Sequence, residues 1–362
     1  MRIVVTGTRG IPDVQGGVET HCQELYPRIA ALGHEVILIR RKPYVTDSPV
    51  KNYRGVKLID LYTPRKKSFE AIIHTFLAVI EAKRLRADIL HIHAIGPAIM
   101  VPLAKILGLK VVMTNHGPDY DRQKWGRLAK TILKTGERLG SRYSNRVIVI
   151  SKVIADIVSH KYNRHDTDLI YNGVTTPRKS THTDYIESLG LQPGKYIVAV
   201  GRFVKEKGFH DLIQAYLQLK PAGIKLVIAG DADHPDTYSE SLKAQARGAG
   251  AILTGFIKGE KLNQLMTNAA LFVIPSYHEG LPFTLLEAMS YNLDVLASDI
   301  PANQLACLKP GTDFFNTGNI RDLSDRLNAK LSDPKTPRTY DLRPYDWERI
   351  ARLTEQIYKE LI

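Results

Sequence analysis

The chain has 362 residues, 44% of them hydrophobic and 24% charged, with a formal net charge of +13. It is too long for one ordinary core and suits two domains of roughly 150–200 residues each. Two distant cysteines, Cys22 and Cys307, support neither a disulfide framework nor a thiolate metal site, and no apolar run approaches the ~20 residues of a membrane span.

Short apolar, β-rich runs alternate with helical patterns along the chain. In the first half the spacing predicts strands at 2–6, 35–39, 57–60, 89–92, 110–114, 146–150 and 167–170, separated by helices such as 18–32, 68–86 and 123–143. A polar stretch containing Pro177, residues 173–183, reads as an interdomain linker. The plan then repeats, with strands near 196–200, 225–229, 251–254, 271–274 and 294–297 and helices near 207–219, 260–269, 284–291 and 318–331. Continuous apolar strands such as YIVAV and LFVIP fit parallel strands buried on both faces. The expectation is an α/β protein of two doubly wound domains, with ligands at the carboxyl ends of the strands in a cleft between them.

The loops after strands are therefore where chemistry is sought. After strand 2–6, Gly16 and Gly17 precede a helix, where exposed backbone N–H groups can meet an anion at the positive end of the helix dipole; the same glycines also serve a plain strand-to-helix turn. Arg40 and Arg41 follow the second strand, where arginines suit the 2′-phosphate of NADP, but the dinucleotide fingerprint G-x-G-x-x-G is missing. His91 and His93 share one face of a strand, a spacing seen in metal sites, yet nothing in the sequence completes a ligand set. His116 ends the next strand and is suited to a sugar hydroxyl or a departing phosphate.

In the second half, strand 196–200 runs into Gly201-Arg202 and then Lys205-Glu206-Lys207-Gly208. Arg202 and Lys207 can neutralise a diphosphate, which matters when a glycosyl–phosphate bond breaks and charge grows on the leaving oxygen. Asp231-Ala232-Asp233 mimics an acidic metal triplet but reads as a loop turn or helix cap. After strand 271–274 come Glu279, in a loop, and Glu287, on the following helix, with the amides of Gly280, Leu281, Phe283 and Thr284 between them. Paired carboxylates suit vicinal hydroxyls, and they also suit a glycoside hydrolase, which leaves Arg202 and Lys207 unexplained.

Taken together, the GG loop, the segment ending at His116, Asn172-Gly173-Val174, Gly201-Arg202 with Glu206-Lys207-Gly208, and Glu279-x7-Glu287 resemble the GT-B glycosyltransferases of family 4. The match runs in family order over nearly the whole chain. The resemblance implies two Rossmann-like domains, an acceptor domain at 1–175 and a nucleotide-sugar domain at 183–345, with a helix at 346–362 crossing back to the first. It implies transfer from a nucleotide-diphosphate sugar with retention of anomeric configuration, no cofactor and no catalytic metal. Glu279 and the amides after it would hold the sugar, Glu287 the ribose hydroxyls, and Arg202 and Lys207 the diphosphate. His116 would face the sugar, the Gly16-Gly17 backbone a phosphate, and Phe256 and Ile257 the base. The opening GTRGIP is similar to that of bacterial polysaccharide transferases, hexosyl and rhamnosyl types included. An NADP-dependent oxidoreductase with a basic anion-binding surface is the alternative.

Residues 1–180 hold 30 Lys and Arg against 15 Asp and Glu, so the charge sits in the first half and predicts an anionic partner. On helix 123–143, Lys124, Arg127, Lys130, Lys134, Arg138 and Arg142 fall on one face, with Trp125, Leu128, Ile132, Leu133, Leu139 and Tyr143 on the other. Either the cations are merely solvated and the apolar face is core, or the helix docks on anionic lipid, its patch extended by Arg65, Lys66 and Lys67. No nucleic-acid-binding pattern is present, so nucleic acid is not expected as a partner. With no leader after Met1, the expected place is cytoplasmic, peripheral on the inner face of the cell membrane, with a lipid-linked saccharide as acceptor.

Overall fold

A computed structural model describes residues 1–362 except 15, 46–49, 65–69, 119, 121–125, 233–234 and 333–337. The chain forms two compact units, Met1–Gly173 with Pro344–Ile362, and Val174–Arg343. The division falls at the start of the polar 173–183 stretch, most of which belongs to the second unit.

In the first unit the strands are β1 (Arg2–Thr6), β2 (Glu35–Arg41), β3 (Asn52–Tyr53), β4 (Val56–Leu61), β5 (Ile89–His93), β6 (Val111–Asn115), β7 (Arg146–Val149) and β8 (Asp168–Leu169). They lie in the order β3-β4-β2-β1-β5-β6-β7-β8, parallel except for the short β3. The connecting helices are α1 (Gly17–Ala31), α2 (Glu70–Arg84), α3 (Val101–Ile106), α4 (Arg127–Tyr143) and α5 (Lys152–Tyr162). Central strands carry unbroken apolar runs because helices cover both faces; Ile3, Val4, Val5, Leu90 and Ile92 are fully buried. The final helix, Trp347–Leu361, buries Trp347, Ile350, Ala351, Thr354, Ile357 and Tyr358, one stripe at helical spacing. It packs on α1, where Glu348 meets Arg28, and Glu355 meets His34 just past that helix, each at 2.9 Å.

The second unit is a six-stranded, all-parallel sheet. Its elements in chain order are α6 (Asp184–Ser188), β9 (Tyr196–Val200), α7 (Phe209–Leu219), β10 (Lys225–Ala229), α8 (Thr237–Gly248), β11 (Ile252–Gly255), α9 (Glu260–Thr267), β12 (Leu271–Ile274), α10 (Phe283–Ser290), β13 (Val295–Ser298), β14 (Phe314–Phe315) and α11 (Ile320–Ser332). The strand order β11-β10-β9-β12-β13-β14 is the Rossmann order, reversing between β9 and β12. The six longest strands of the first sheet run β4-β2-β1-β5-β6-β7, the same order, reversing between β1 and β5. Each reversal opens a crevice at the carboxyl ends of two central strands, and the loops after those strands carry the residues considered next.

The basic helix departs from its expected form. Lys124 and Trp125, with Arg65, Lys66 and Lys67, lie outside the described residues. On α4 the buried residues are Gly136, Glu137, Gly140 and Ser141, while Leu128 and Tyr143 are exposed. A Cβ on Gly136 would lie 2.1 Å from the Ile95 carbonyl oxygen and one on Gly140 2.4 Å from the Met113 sulfur, so the helix needs glycine there to approach the sheet. Glu137 is tolerated inside because Asn115, Tyr120 and Tyr162 donate to its carboxylate at 3.2, 2.9 and 2.7 Å. A pattern of large apolar side chains could not reveal a buried face built of glycine and one satisfied acid.

Candidate active site

In the second unit the loops after β9 and β12 are locked together. Gly208 has φ +66°, and a Cβ there would stand 2.0 Å from the carbonyl oxygen of Pro275, so only glycine allows the approach. The Tyr277 amide donates to the Glu206 carbonyl at 2.8 Å, and the Tyr277 hydroxyl donates to Asp211 at 2.5 Å. Lys207 Nζ thereby reaches Glu279 Oε1 at 2.5 Å, with both side chains mostly buried. Ser276 Oγ donates to the same oxygen at 2.7 Å, while Ser298 Oγ donates to the Ser276 carbonyl and accepts from Asn303. Arg202 sits half-buried just past β9. Phe256, just past β11, is exposed, and Ile257 is half-buried.

Pro282 precedes α10 and offers no N–H, so the donors at that end are the amides of Phe283 and Thr284, with Gly280 and Leu281 just before them. Glu287 lies one turn inside this helix. Burial pushes its carboxyl up to about 7, and its side chain has no hydrogen-bond or ion-pair partner among the described residues. Glu279 and Glu287 thus have opposite surroundings: one is cation-paired, the other desolvated and without a partner among the described residues. A hydrolytic acid–base couple would need both to face one bond, whereas Glu279 is committed to Lys207.

In the first unit Gly16 has φ +149°, and a Cβ there would lie 2.0 Å from the Glu19 carboxylate. Glu19 reaches back from the first turn of α1 to accept from the Arg9 amide at 2.9 Å and from Thr8 Oγ1 at 3.2 Å, an acid at the positive helix end. Gly17 is the first residue of that helix. Arg40 is fully buried and donates to Asp60, Ile11 and Val50 at 2.6, 3.1 and 3.0 Å, and Arg41 donates to Glu70 at 2.8 Å. Both arginines serve the fold, which removes the feature that favoured NADP. Asp231 is held by Lys243 at 2.9 Å; Asp233 lies outside the described residues.

The histidines gather beyond what the sequence allowed. His91 and His93 stack at 4.4 Å, and α1 contributes His21 while the loop after β6 contributes His116. His93 Nδ1 lies 3.0 Å from His116 Nε2, and His21 Nδ1 lies 2.9 Å from Asn172 Oδ1. One ligand atom from each of His21, His93 and His116 falls within 4.8 Å of the others, a set that could hold a metal ion. His93 is thus joined by His21 and His116, a grouping the strand pair could not reveal because the other two rings come from a helix and a loop. Burial is the main cause that holds His21 down at about 4 and His93 and His116 well below the usual imidazole range.

Comparison with known proteins decides the class. The model for "Glycosyl transferases group 1" matches residues 182–347, and that for "Glycosyltransferase Family 4" matches residues 15–178. This chain is a GT-B glycosyltransferase of the group 1 and family 4 type. It is 26% identical to an uncharacterised glycosyltransferase of Methanocaldococcus jannaschii, over 99% of this chain and 98% of the relative. Sucrose-phosphate synthase of Thermosynechococcus elongatus superposes with TM-score 0.80 at 22% identity, covering 99% of this chain and 98% of that one. Anabaena HepE, solved with UDP and glucose, superposes with TM-score 0.79 at 17% identity over 99% of this glycosyltransferase and 100% of its own chain. The last two likenesses concern the fold.

Proposed function

We propose that this glycosyltransferase moves a hexosyl or rhamnosyl group from a UDP-, GDP- or dTDP-sugar to a hydroxyl of a lipid-linked saccharide in bacterial surface polysaccharide synthesis. It does so with retention and without cofactor or catalytic metal. The Lys207–Glu279 contact at 2.5 Å carries this reading. In the donor, the sugar's anomeric carbon is bonded to the outer phosphate, so a residue for the sugar and a residue for the phosphate must be neighbours. Glu279 and the amides of Gly280, Leu281, Phe283 and Thr284 hold sugar hydroxyls, and Arg202 and Lys207 hold the diphosphate. Glu287 accepts from the ribose hydroxyls, Phe256 and Ile257 border the base, and His116 meets the sugar. Gly16 and Gly17 offer backbone to a phosphate. The bond from the anomeric carbon to the phosphate oxygen breaks as the acceptor oxygen bonds to the same face. The leaving oxygen takes the acceptor's proton, and fixed cations stabilise its growing charge. HepE's binding of UDP supports a nucleotide donor.

The test is a thermal-shift panel of UDP, GDP, dTDP and ADP with their sugars. One nucleotide diphosphate and its sugar should stabilise the protein in the presence of EDTA, and the product anomer should match the donor. Stabilisation by NADP alone would overturn the reading.

A further inference from the structure

The geometry points to a transition-metal site of the Zn2+ class formed by His21, His93 and His116. The hydrogen bonds around the cluster decide which ring nitrogens present lone pairs. Asn172 Oδ1 accepts, so His21 Nδ1 carries the proton and its Nε2 is a bare acceptor. His91 Nδ1 lies 2.5 Å from the Tyr358 hydroxyl and 3.0 Å from that of Tyr26, and its Nε2 lies 2.7 Å from Thr114 Oγ1. Tyr358, the nearer hydroxyl, donates to the single lone pair of His91 Nδ1, and Tyr26 donates to the Tyr358 oxygen, so the Tyr26 oxygen is left to accept from His93 Nε2, 2.5 Å away. His93 then carries its proton on Nε2 and presents a bare Nδ1 towards His116 Nε2. Two imidazole lone pairs, with tautomers set by Asn172 and Tyr26, thus converge with a third ring that can release its facing proton by tautomerising.

An outer hydrogen-bond partner on each ligating imidazole is how protein metal sites orient their ligands. An all-imidazole set selects Zn2+, Co2+, Ni2+ or Cu2+ over the hard, oxygen-seeking Mg2+ and Ca2+. No carboxylate belongs to the set, and His21 and His93 are buried. A bound ion would hold His116 away from a sugar, so occupation makes transfer metal-inhibited; that consequence alone rests on the function proposed above.

The experiment is a Co2+ titration of the untagged full chain, followed by the visible d–d absorption of a nitrogen-ligated ion and by competition with Zn2+, Mg2+ and Ca2+. A one-to-one band is expected that Zn2+ abolishes and Mg2+ and Ca2+ leave unchanged. His21→Ala and His116→Ala should each lose it, while Tyr26→Phe should weaken binding about 10–100-fold. No band, a band indifferent to all three substitutions, or equal competition by Mg2+ would overturn the site. Using two ligand variants keeps the test decisive if one fails to fold by circular dichroism. Transfer that persists at saturating Co2+, with the band fully developed, would overturn the inhibitory role and the placement of His116 by the sugar.

Discussion

At the scale of single residues, the two acids of the E-x7-E element have different physical tasks. Glu279 is paired with Lys207 and steadied by Ser276, so Glu279→Gln should chiefly lower turnover, by about 10²–10³-fold in kcat, with little change in donor KM. Lys207→Ala should show a loss of similar size, and the double variant should lose far less than the product of the two, because the groups act as a unit. Steady-state kinetics of the three variants check this. Glu287 behaves in the opposite way. Its carboxyl is raised by burial from 4.5 to about 7, so ionising it costs folded stability, a cost absent below pH 4.5 that grows until pH 7 and stays above it. Replacing it with Gln should therefore raise stability on the order of 2–3 kcal/mol at pH 8 and leave it unchanged at pH 4, as read by denaturant unfolding. The same group should link donor binding to pH: as pH falls below about 7 the protonated acid can no longer accept from both ribose hydroxyls, and donor KM should rise in wild type. A KM that is flat from pH 6 to 8 would remove Glu287 from the donor site.

At the scale of elements, α4 is the case that pattern reading missed. Its closest approach to the sheet depends on Gly136, Gly140 and the acid between them, while of its wheel Leu133 packs half-buried on the core and Leu128 is exposed. Glu137→Ala would strand two buried donors, Asn115 and Tyr120, and the half-buried Tyr162 hydroxyl, and each buried unsatisfied group costs roughly 1–3 kcal/mol. A loss of at least about 3 kcal/mol in chemical unfolding is expected, whereas Leu128→Ala, at an exposed position, should fall within about 0.5 kcal/mol of wild type. Other elements were plain from composition. β1, β9, β10 and β12 span the ranges read from the sequence around their apolar runs, because a strand covered on both faces has no polar alternation to blur its ends. The brief β3 and β14, two residues each, carry too few side chains to make any pattern.

At the scale of the whole molecule, the charge still asks for a partner. The exposed cations Arg127, Lys134, Arg138 and Arg142 of α4 share their surface with exposed Leu128 and Tyr143, and among the described residues no helix is long and apolar enough to cross a membrane. If α4 meets an anionic lipid surface, liposome flotation at low salt should recover the protein with anionic but not neutral vesicles. Arg127→Glu together with Arg138→Glu should abolish that recovery, each cation near such a surface being worth ~1 kcal/mol. Equal flotation with both vesicle types would count against this attachment.

The sequence by itself determined the class of this protein. Two runs of alternating strand and helix specify two doubly wound sheets, since parallel strands need covering helices and right-handed crossovers leave only a handful of strand orders. The order of its motifs pointed to a glycosyltransferase, and the spacing placed Lys207, Gly208 and Glu279 on loops beside central strands and Glu287 on the helix that follows. Only the tertiary structure decided which of those groups touch. The 2.5 Å contact of Lys207 with Glu279 spans 72 residues of chain, the Ser276–Ser298–Asn303 brace has no sequence pattern, and His21, His93 and His116 come from a helix, a strand and a loop. Local periodicity records which side of an element faces the core. Contacts between distant loops depend on strand order and on glycines that let backbones meet, and these exist only once the sheet is formed.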